Sequence, residues 1–187
     1  GTASITYRKE KFLFREVASI TRNKTQDSPY GSFSPWTLCN PYDDPYNEDG
    51  TPKKSLSTGY SPLYDAMTGT KDETSYLQFT NNFYTEWTPI EGLKLTGRVG
   101  LTTKRSDADE YYPYTHTKFA SISRDYYYQR GSYTVNNGKS NTLSADLLAS
   151  YTKAFGKHVI FANAGWSVSE NKYIETVVKA IGIQDEN

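Results

Sequence analysis

Three carboxylates lie close together near the middle of the chain, at Asp107, Asp109 and Glu110. Paired carboxylates can transfer protons in acid–base catalysis, and clustered carboxylate oxygens can coordinate calcium. Their spacing lacks the glycine turn and the distal glutamate of a calcium loop. We therefore expect these side chains to be solvated in a loop or salt-bridged to Lys104 and Arg105. A hydrolase would rest on the three acids alone.

Metal ligands are few and scattered in the sequence. His116 and His158 are far apart, so they form no local metal-binding pair, and Cys39 is the single cysteine. The serine-hydrolase, zinc-protease and phosphate-binding glycine motifs do not occur. We predict no catalytic residues, no metal site, no cofactor and no enzymatic activity.

Aromatic residues are the candidate ligand-binding groups, because 17 Tyr, 8 Phe and 3 Trp make up 15% of the chain. Those in the polar stretches can stack on sugar rings or on peptide side chains. Alternatively, the rings pack the long polar stretches together or against a partner protein. The candidates for ligand contact are Trp36, Tyr42, Tyr112, Tyr114 and Tyr126.

Composition excludes several classes of protein. The 21 basic and 21 acidic residues cancel, and no stretch combines lysine and arginine with aromatics as a nucleic-acid groove does. We therefore expect no nucleic-acid partner. No run approaches the roughly 20 apolar residues of a membrane-spanning helix, whereas a barrel strand needs only about 9 to 11 alternating residues. The aromatic content favours strands over helices.

Six runs of the sequence are typical of strands, and short turns join them in pairs. The clearest run is 92–103, where apolar and polar residues alternate so that one face suits lipid and the other a wet lumen. Its apolar face holds Leu93, Leu95, Val99 and Leu101, and its polar face holds Lys94, Thr96, Arg98 and Thr102. The six predicted strands are 2–7, 11–21, 74–87, 92–103, 141–153 and 158–169.

Two long polar connections, 22–73 and 104–140, separate the pairs and are far longer than usual loops. Outer-membrane barrels combine short periplasmic turns with long extracellular loops in this way. The first connection contains six prolines, so we expect an ordered but irregular loop. In the second, Asn137-Gly138 predicts a two-residue hairpin turn within a small β-ribbon. The predicted fold is all-β, an antiparallel meander of about six strands with long irregular loops.

Several short stretches keep a familiar order over nearly the whole chain. They are 27–33, 40–42, 62–65, 79–83, 92–94, 105–110 and 130–139, with sequences DSPYGSF, NPY, PLYD, FTNNF, GLK, RSDADE and RGSYTVNNGK. With these stretches the chain resembles the β-barrel part of SusC/RagA-type TonB-dependent outer-membrane transporters. The resemblance implies residues 1–187 are a single partial barrel segment, excised from a longer chain and without the plug domain or the remaining strands.

The resemblance also implies a function, a location and partners. Such transporters import oligosaccharides or peptides, are powered through TonB and are covered by a SusD-like surface lipoprotein. We therefore expect a place in the cell outer membrane, with lipid around the strands and the loops extracellular. TonB would act through parts absent here, and six strands cannot close a lumen that takes about 22. An isolated segment would self-associate through its open sheet edges.

The alternative is a soluble, secreted glycan-binding β-sandwich. In that fold the apolar residues of 93–101 would pack against a second sheet of the same molecule.

Overall fold

The computed structural model describes residues 1–183 and is built mainly from antiparallel strands, which confirms the predicted fold class. The strands are β1 Thr2–Lys9, β2 Phe12–Gln26, β3 Ser55–Leu56, β4 Gly59–Tyr60, β5 Lys71–Trp87, β6 Leu93–Tyr112, β7 Ser132–Phe155 and β8 His158–Ile181. The six long strands form one sheet in the order β1-β2-β5-β6-β7-β8, so neighbours in the sheet follow one another along the chain as in a meander. A separate two-stranded sheet pairs β3 with β4.

Short turns join the long strands in the predicted pairs. Lys9 pairs with Phe12, so the β1–β2 turn is formed by the two residues between them, and Glu10 there has a φ of 46°. Gly156, in the β7–β8 turn, has a φ of 58°. Because positive φ values reverse the chain tightly, these turns need few residues.

The second long connection is shorter than the sequence predicts. Strand β6 continues to Tyr112 and β7 begins at Ser132, so much of 104–140 is paired strand, including the acids at 107–110. The predicted Asn137-Gly138 turn is wrong, because both residues lie inside β7. A Cβ on Gly138 would lie 2.6 Å from Ser106 Oγ and 3.2 Å from Tyr173 Oη. Here glycine allows close side-chain approach, and strand pairing overrides the local turn preference.

The chain divides into two compact units. Unit 1 comprises Gly1–Asn23, Tyr76–Ser106 and Gly138–Glu175, and unit 2 comprises Lys24–Ser75, Asp107–Asn137 and, among the described residues, 176–183. No helix within residues 1–183 is long and apolar enough to cross a membrane.

Unit 1 has the two-faced strands that the alternation in β6 predicts. On the polar face Lys94 Nζ pairs with Glu86 at 2.8 Å, and Arg98 lies over the Tyr84 ring at 5.7 Å. On the other face, Val99 and Leu101 remain 39% and 43% exposed. A hydrocarbon or protein neighbour would be expected to cover such a face.

Side chains of neighbouring strands meet on the apolar face of unit 1. Gly97 of β6 lies on this face, and a Cβ there would be 3.5 Å from Leu147 Cδ2 and 3.0 Å from Thr85 Cγ2. Phe14 and Phe83 pack together with ring centroids 6.3 Å apart. These contacts join four neighbouring strands side by side without a second layer of the same unit above them.

Unit 2 is dominated by irregular chain with short helices. The first long loop contains β3, β4 and the helices α1 (Ser34–Thr37) and α2 (Pro62–Ala66), which agrees with the predicted ordered but irregular loop. Two 3₁₀ helices, Thr117–Phe119 and Arg124–Gln129, lie between β6 and β7. Phe119 is buried in this unit, and Pro113 is fully enclosed.

Candidate functional site

A cleft of about 490 Å³ in unit 2 is the candidate site. Three separate stretches of sequence form its walls: the residues that follow β2, the stretch from β4 to the start of β5, and the end of β6 with the first 3₁₀ helix. Carboxylates and tyrosine rings line the cleft together. The residues with side chains suited to ligand binding are Asp27, Asp65, Asp72, Tyr30, Tyr60 and Tyr112.

Helix α2 places Asp65 in the wall of the cleft. Ser61 caps this helix, because its Oγ accepts a hydrogen bond from Tyr64 N at 3.3 Å, and Pro62 follows in the first turn. Asp65 then accepts hydrogen bonds from the backbone N–H of Thr117, at 2.9 Å, and from the Thr117 hydroxyl. This carboxylate therefore ties α2 to the segment that follows β6.

His116 completes this side of the cleft as a neutral ring. Its Nδ1 accepts a hydrogen bond from Lys118 N at 3.0 Å, so that nitrogen carries no proton, and the 3.6 Å approach of Asp65 Oδ1 to it is not an ion pair. Burial lowers the pKa of His116; Asp65 opposes this, whereas Lys118 and Lys54 add to it. The imidazole also lies edge-on to the Tyr112 ring, with centroids 5.0 Å apart.

Asp27, Asp72 and Glu110 concentrate negative charge in this part of unit 2, and two of them, Asp72 and Glu110, act on Tyr112. Burial, followed by the charges of Asp27 and Glu110, raises the pKa of Asp72 above the ordinary 3.8. Burial also raises the pKa of Tyr112 to about 12, helped by a hydrogen bond with Glu110 and by the charges of Glu110 and Asp72. Within residues 1–183, none of these three carboxylates is part of an ion pair.

The structure brings only one of the five predicted aromatics into the cleft wall, namely Tyr112. Trp36 supports the wall from α1, because its Nε1 donates to Tyr30 O at 2.9 Å and its ring lies 6.0 Å from the Tyr30 ring. Tyr42 is 94% exposed, and Tyr114 and Tyr126 are also exposed. Ligand contact by these five residues remains a prediction.

Two members of the predicted acidic cluster contact different tyrosines. Asp109 accepts a hydrogen bond from the Tyr133 hydroxyl at 3.2 Å, and Glu110 contacts Tyr112. The expected salt bridges to Lys104 and Arg105 are not present among the ion pairs of residues 1–183. The same part of the chain holds no group of three or more His, Cys, Asp or Glu side chains placed to bind a metal.

Sequence reasoning missed most of the cleft, since Asp27, Asp65, Asp72 and His116 come from distant positions. One signal was available, because two of the stretches that carry the family resemblance, 27–33 and 62–65, supply cleft walls. Stretches that keep their order in the sequence thus converge on one place in unit 2.

Comparison with known proteins adds a likeness of fold. No family model and no curated protein matches the chain. A solved structure of the RagAB peptide transporter is similar, with a TM-score of 0.69 at 16% identity over 97% of this chain. The RagAB peptide importer in its closed-closed state gives 0.70 at 14% identity over 97% of this chain, and in its open-open state 0.63 at 14% over 95%.

The chain is similar to only part of these transporters, since it spans about a fifth of their length, or 21% in the first two. At such identity the comparison concerns architecture alone. This chain therefore has the fold of a β-rich portion of the RagAB transporter chains.

Proposed function

We propose that this chain is a segment of an outer-membrane, TonB-dependent nutrient importer of the SusC/RagA type. The observation that carries the proposal is the fold match over 97% of the chain to RagAB peptide transporter structures. The function is import of an oligosaccharide or a peptide, and no catalytic step is assigned to the chain. A SusD-like surface lipoprotein and TonB, the latter acting through other parts of the protein, are the proposed partners.

The two faces of unit 1 support a membrane location. The apolar side of β6 stays partly exposed, whereas its polar side is occupied by the Lys94–Glu86 pair and the Arg98–Tyr84 contact. In a transmembrane barrel, lipid covers the first kind of face and the lumen hydrates the second. The sandwich alternative requires a second layer over Val99 and Leu101. Within residues 1–183 the remaining sheet is only the β3–β4 pair of unit 2.

Labelling of engineered cysteines in intact cells tests the topology. In a Cys39→Ser background of the full-length protein, Asn47→Cys places a thiol in the exposed first loop, and Lys157→Cys places one in the β7–β8 turn. A membrane-impermeant maleimide should label the first variant in intact cells and the second only after the outer membrane is permeabilised. Recovery of the protein in a soluble fraction, or labelling of both thiols in intact cells, would contradict the proposal.

A further inference from the structure

The cleft of unit 2 is lined by carboxylates, two of which, Asp27 and Asp72, form no ion pair within residues 1–183. Asp27, Asp72 and Glu110 are close enough for their charges to raise the pKa of Asp72, and none of them has a cationic partner within residues 1–183. Lys24 and Lys71 are nearby, but both pair with Glu73, at 3.1 and 3.3 Å, and not with Asp72. Strand alternation places Glu73 on the opposite face of β5 from Asp72.

Aromatic rings form much of the remaining wall. Tyr30 and Tyr60 line the cleft and are more than half exposed, so a ligand can reach them. The Tyr112 ring already binds an ammonium group of the protein itself, because Lys118 Nζ lies 3.6 Å from its centroid. A ring face with carboxylates beside it is a favourable environment for a cation, since the ring quadrupole and the carboxylates attract the same charge.

We infer that this cleft binds the ammonium or guanidinium group of a basic peptide side chain, held by Asp27 and Asp72 and packed against Tyr30 and Tyr60. The inference deepens the proposed function and rests on it for the source of the ligand, because an importer would meet such peptides outside the cell. A bound cation would relieve the repulsion among the three carboxylates. A neutral sugar could accept and donate hydrogen bonds there but would leave that repulsion in place.

The size of the cleft agrees with this ligand class. Its volume of about 490 Å³ falls within the range of small-molecule sites, roughly 300 to 1,000 Å³. That space accommodates a lysine or arginine side chain with part of the adjoining peptide. A bare metal ion would lack the ligand sets it needs, since the described residues contain no group placed to coordinate one.

Calorimetric titration of the full-length protein in detergent tests the inference. The probes are an N-acetylated, C-amidated tripeptide with lysine between two alanines, the same tripeptide with glutamine in place of lysine, and a neutral trisaccharide. We expect the lysine peptide to bind at least about tenfold more tightly than the glutamine peptide, corresponding to one charge-assisted contact. Its affinity should also fall as salt is raised, because the carboxylates are partly exposed.

Two double variants separate a local charge effect from a change in net charge. Asp27→Asn with Asp72→Asn should weaken the lysine peptide about tenfold or more and leave the glutamine peptide unchanged. Glu48→Gln with Asp125→Asn removes the same number of charges from exposed positions of unit 2 outside the cleft and should change neither affinity. Tyr60→Leu should weaken the lysine peptide several-fold through loss of the ring.

Each outcome decides a different claim. Equal affinities for the two peptides, an unchanged affinity in the Asp27/Asp72 double variant that still melts cooperatively, or tighter binding of the trisaccharide would overturn the inference. Uptake of a fluorescent lysine peptide by cells is measured separately. Binding of the lysine peptide without its uptake would refute the proposed importer function. Uptake that does not distinguish the lysine peptide from the glutamine peptide would refute only the inferred ligand class.

Discussion

Three aspartates in unit 2 make the same pair of hydrogen bonds across very different distances along the chain. Each accepts from the backbone N–H and the hydroxyl of one serine or threonine. Asp49 binds Thr51, two residues away, and Asp43 binds Ser57, 14 residues away. Asp65 binds Thr117, 52 residues away. Removing these similar hydrogen bonds should therefore affect different lengths of chain, because only the Asp65–Thr117 pair joins distant segments.

We predict that Asp65→Asn loosens residues 113–120. Asparagine keeps one acceptor oxygen, so the variant loses about one charge-assisted hydrogen bond, roughly 1.5 to 3 kcal/mol. A loss of about 2 kcal/mol corresponds to roughly 30-fold lower protection against hydrogen exchange, since about 1.4 kcal/mol equals a factor of ten. Turns inside the segment should persist, because His116 N and Phe119 N bond locally to Pro113 O and His116 O at 3.0 and 3.1 Å.

Hydrogen exchange followed by mass spectrometry on peptides covering 113–122 measures this change. Asp49→Asn is the matched control and should alter exchange only around residues 49–51. Asp43→Asn should act on the stretch that ends at Ser57. The reasoning fails if Asp65→Asn leaves 113–120 unchanged, or if Asp49→Asn loosens that segment equally.

Three further predictions concern stability and assembly. Gly92→Ala should lower the thermal midpoint well below that of Gly50→Ala. Both glycines have a φ near +82°, but of the two only Gly92 would place the new Cβ 2.2 Å from a backbone oxygen, that of Thr152. Equal midpoints would contradict this. Asp72→Asn should raise the midpoint at pH 7. An acid whose pKa is raised on folding contributes stability at low pH, and that stability is lost as the pH rises through the raised pKa, so removing the acid helps at pH 7. A lower midpoint at pH 7 would refute this prediction. The isolated chain should associate through β1 and β8, the two edges of its sheet, as seen by light scattering, and a monomer with both edge strands fully protected from exchange would argue against this.

Local patterns predict the strands well where one face differs from the other. Alternation in 92–103 identifies β6 and its two faces, and the short turns identify the strand pairs. The same reasoning ends β6 too early, because the acids and tyrosines at 107–112 have no apolar face to mark them as a strand. Their pairing with β7 is a tertiary effect that a single sequence window does not contain.

The cleft could not be predicted from local sequence patterns for a related reason. Tyr112 is conspicuous in the sequence because tyrosines surround it, whereas Asp27 and Asp72 resemble any other loop acid. They become a site only when the hydrogen bond of 2.9 Å from Asp27 N to Asp72 O brings the ends of two strands together. Which acids meet therefore depends on strand pairing, and sequence spacing carries no information about it.

The ring of Tyr173 beside Gly138 affects the register between β7 and β8, the two longest strands. Its Cε2 and Oη lie 3.5 and 3.2 Å from where a Cβ of Gly138 would be, so the aromatic side chain covers the gap that glycine leaves. Sliding β8 by one residue would turn that ring to the opposite side and uncover the glycine. The Tyr173–Gly138 contact thus favours one register among the many that two strands of 24 residues each could adopt.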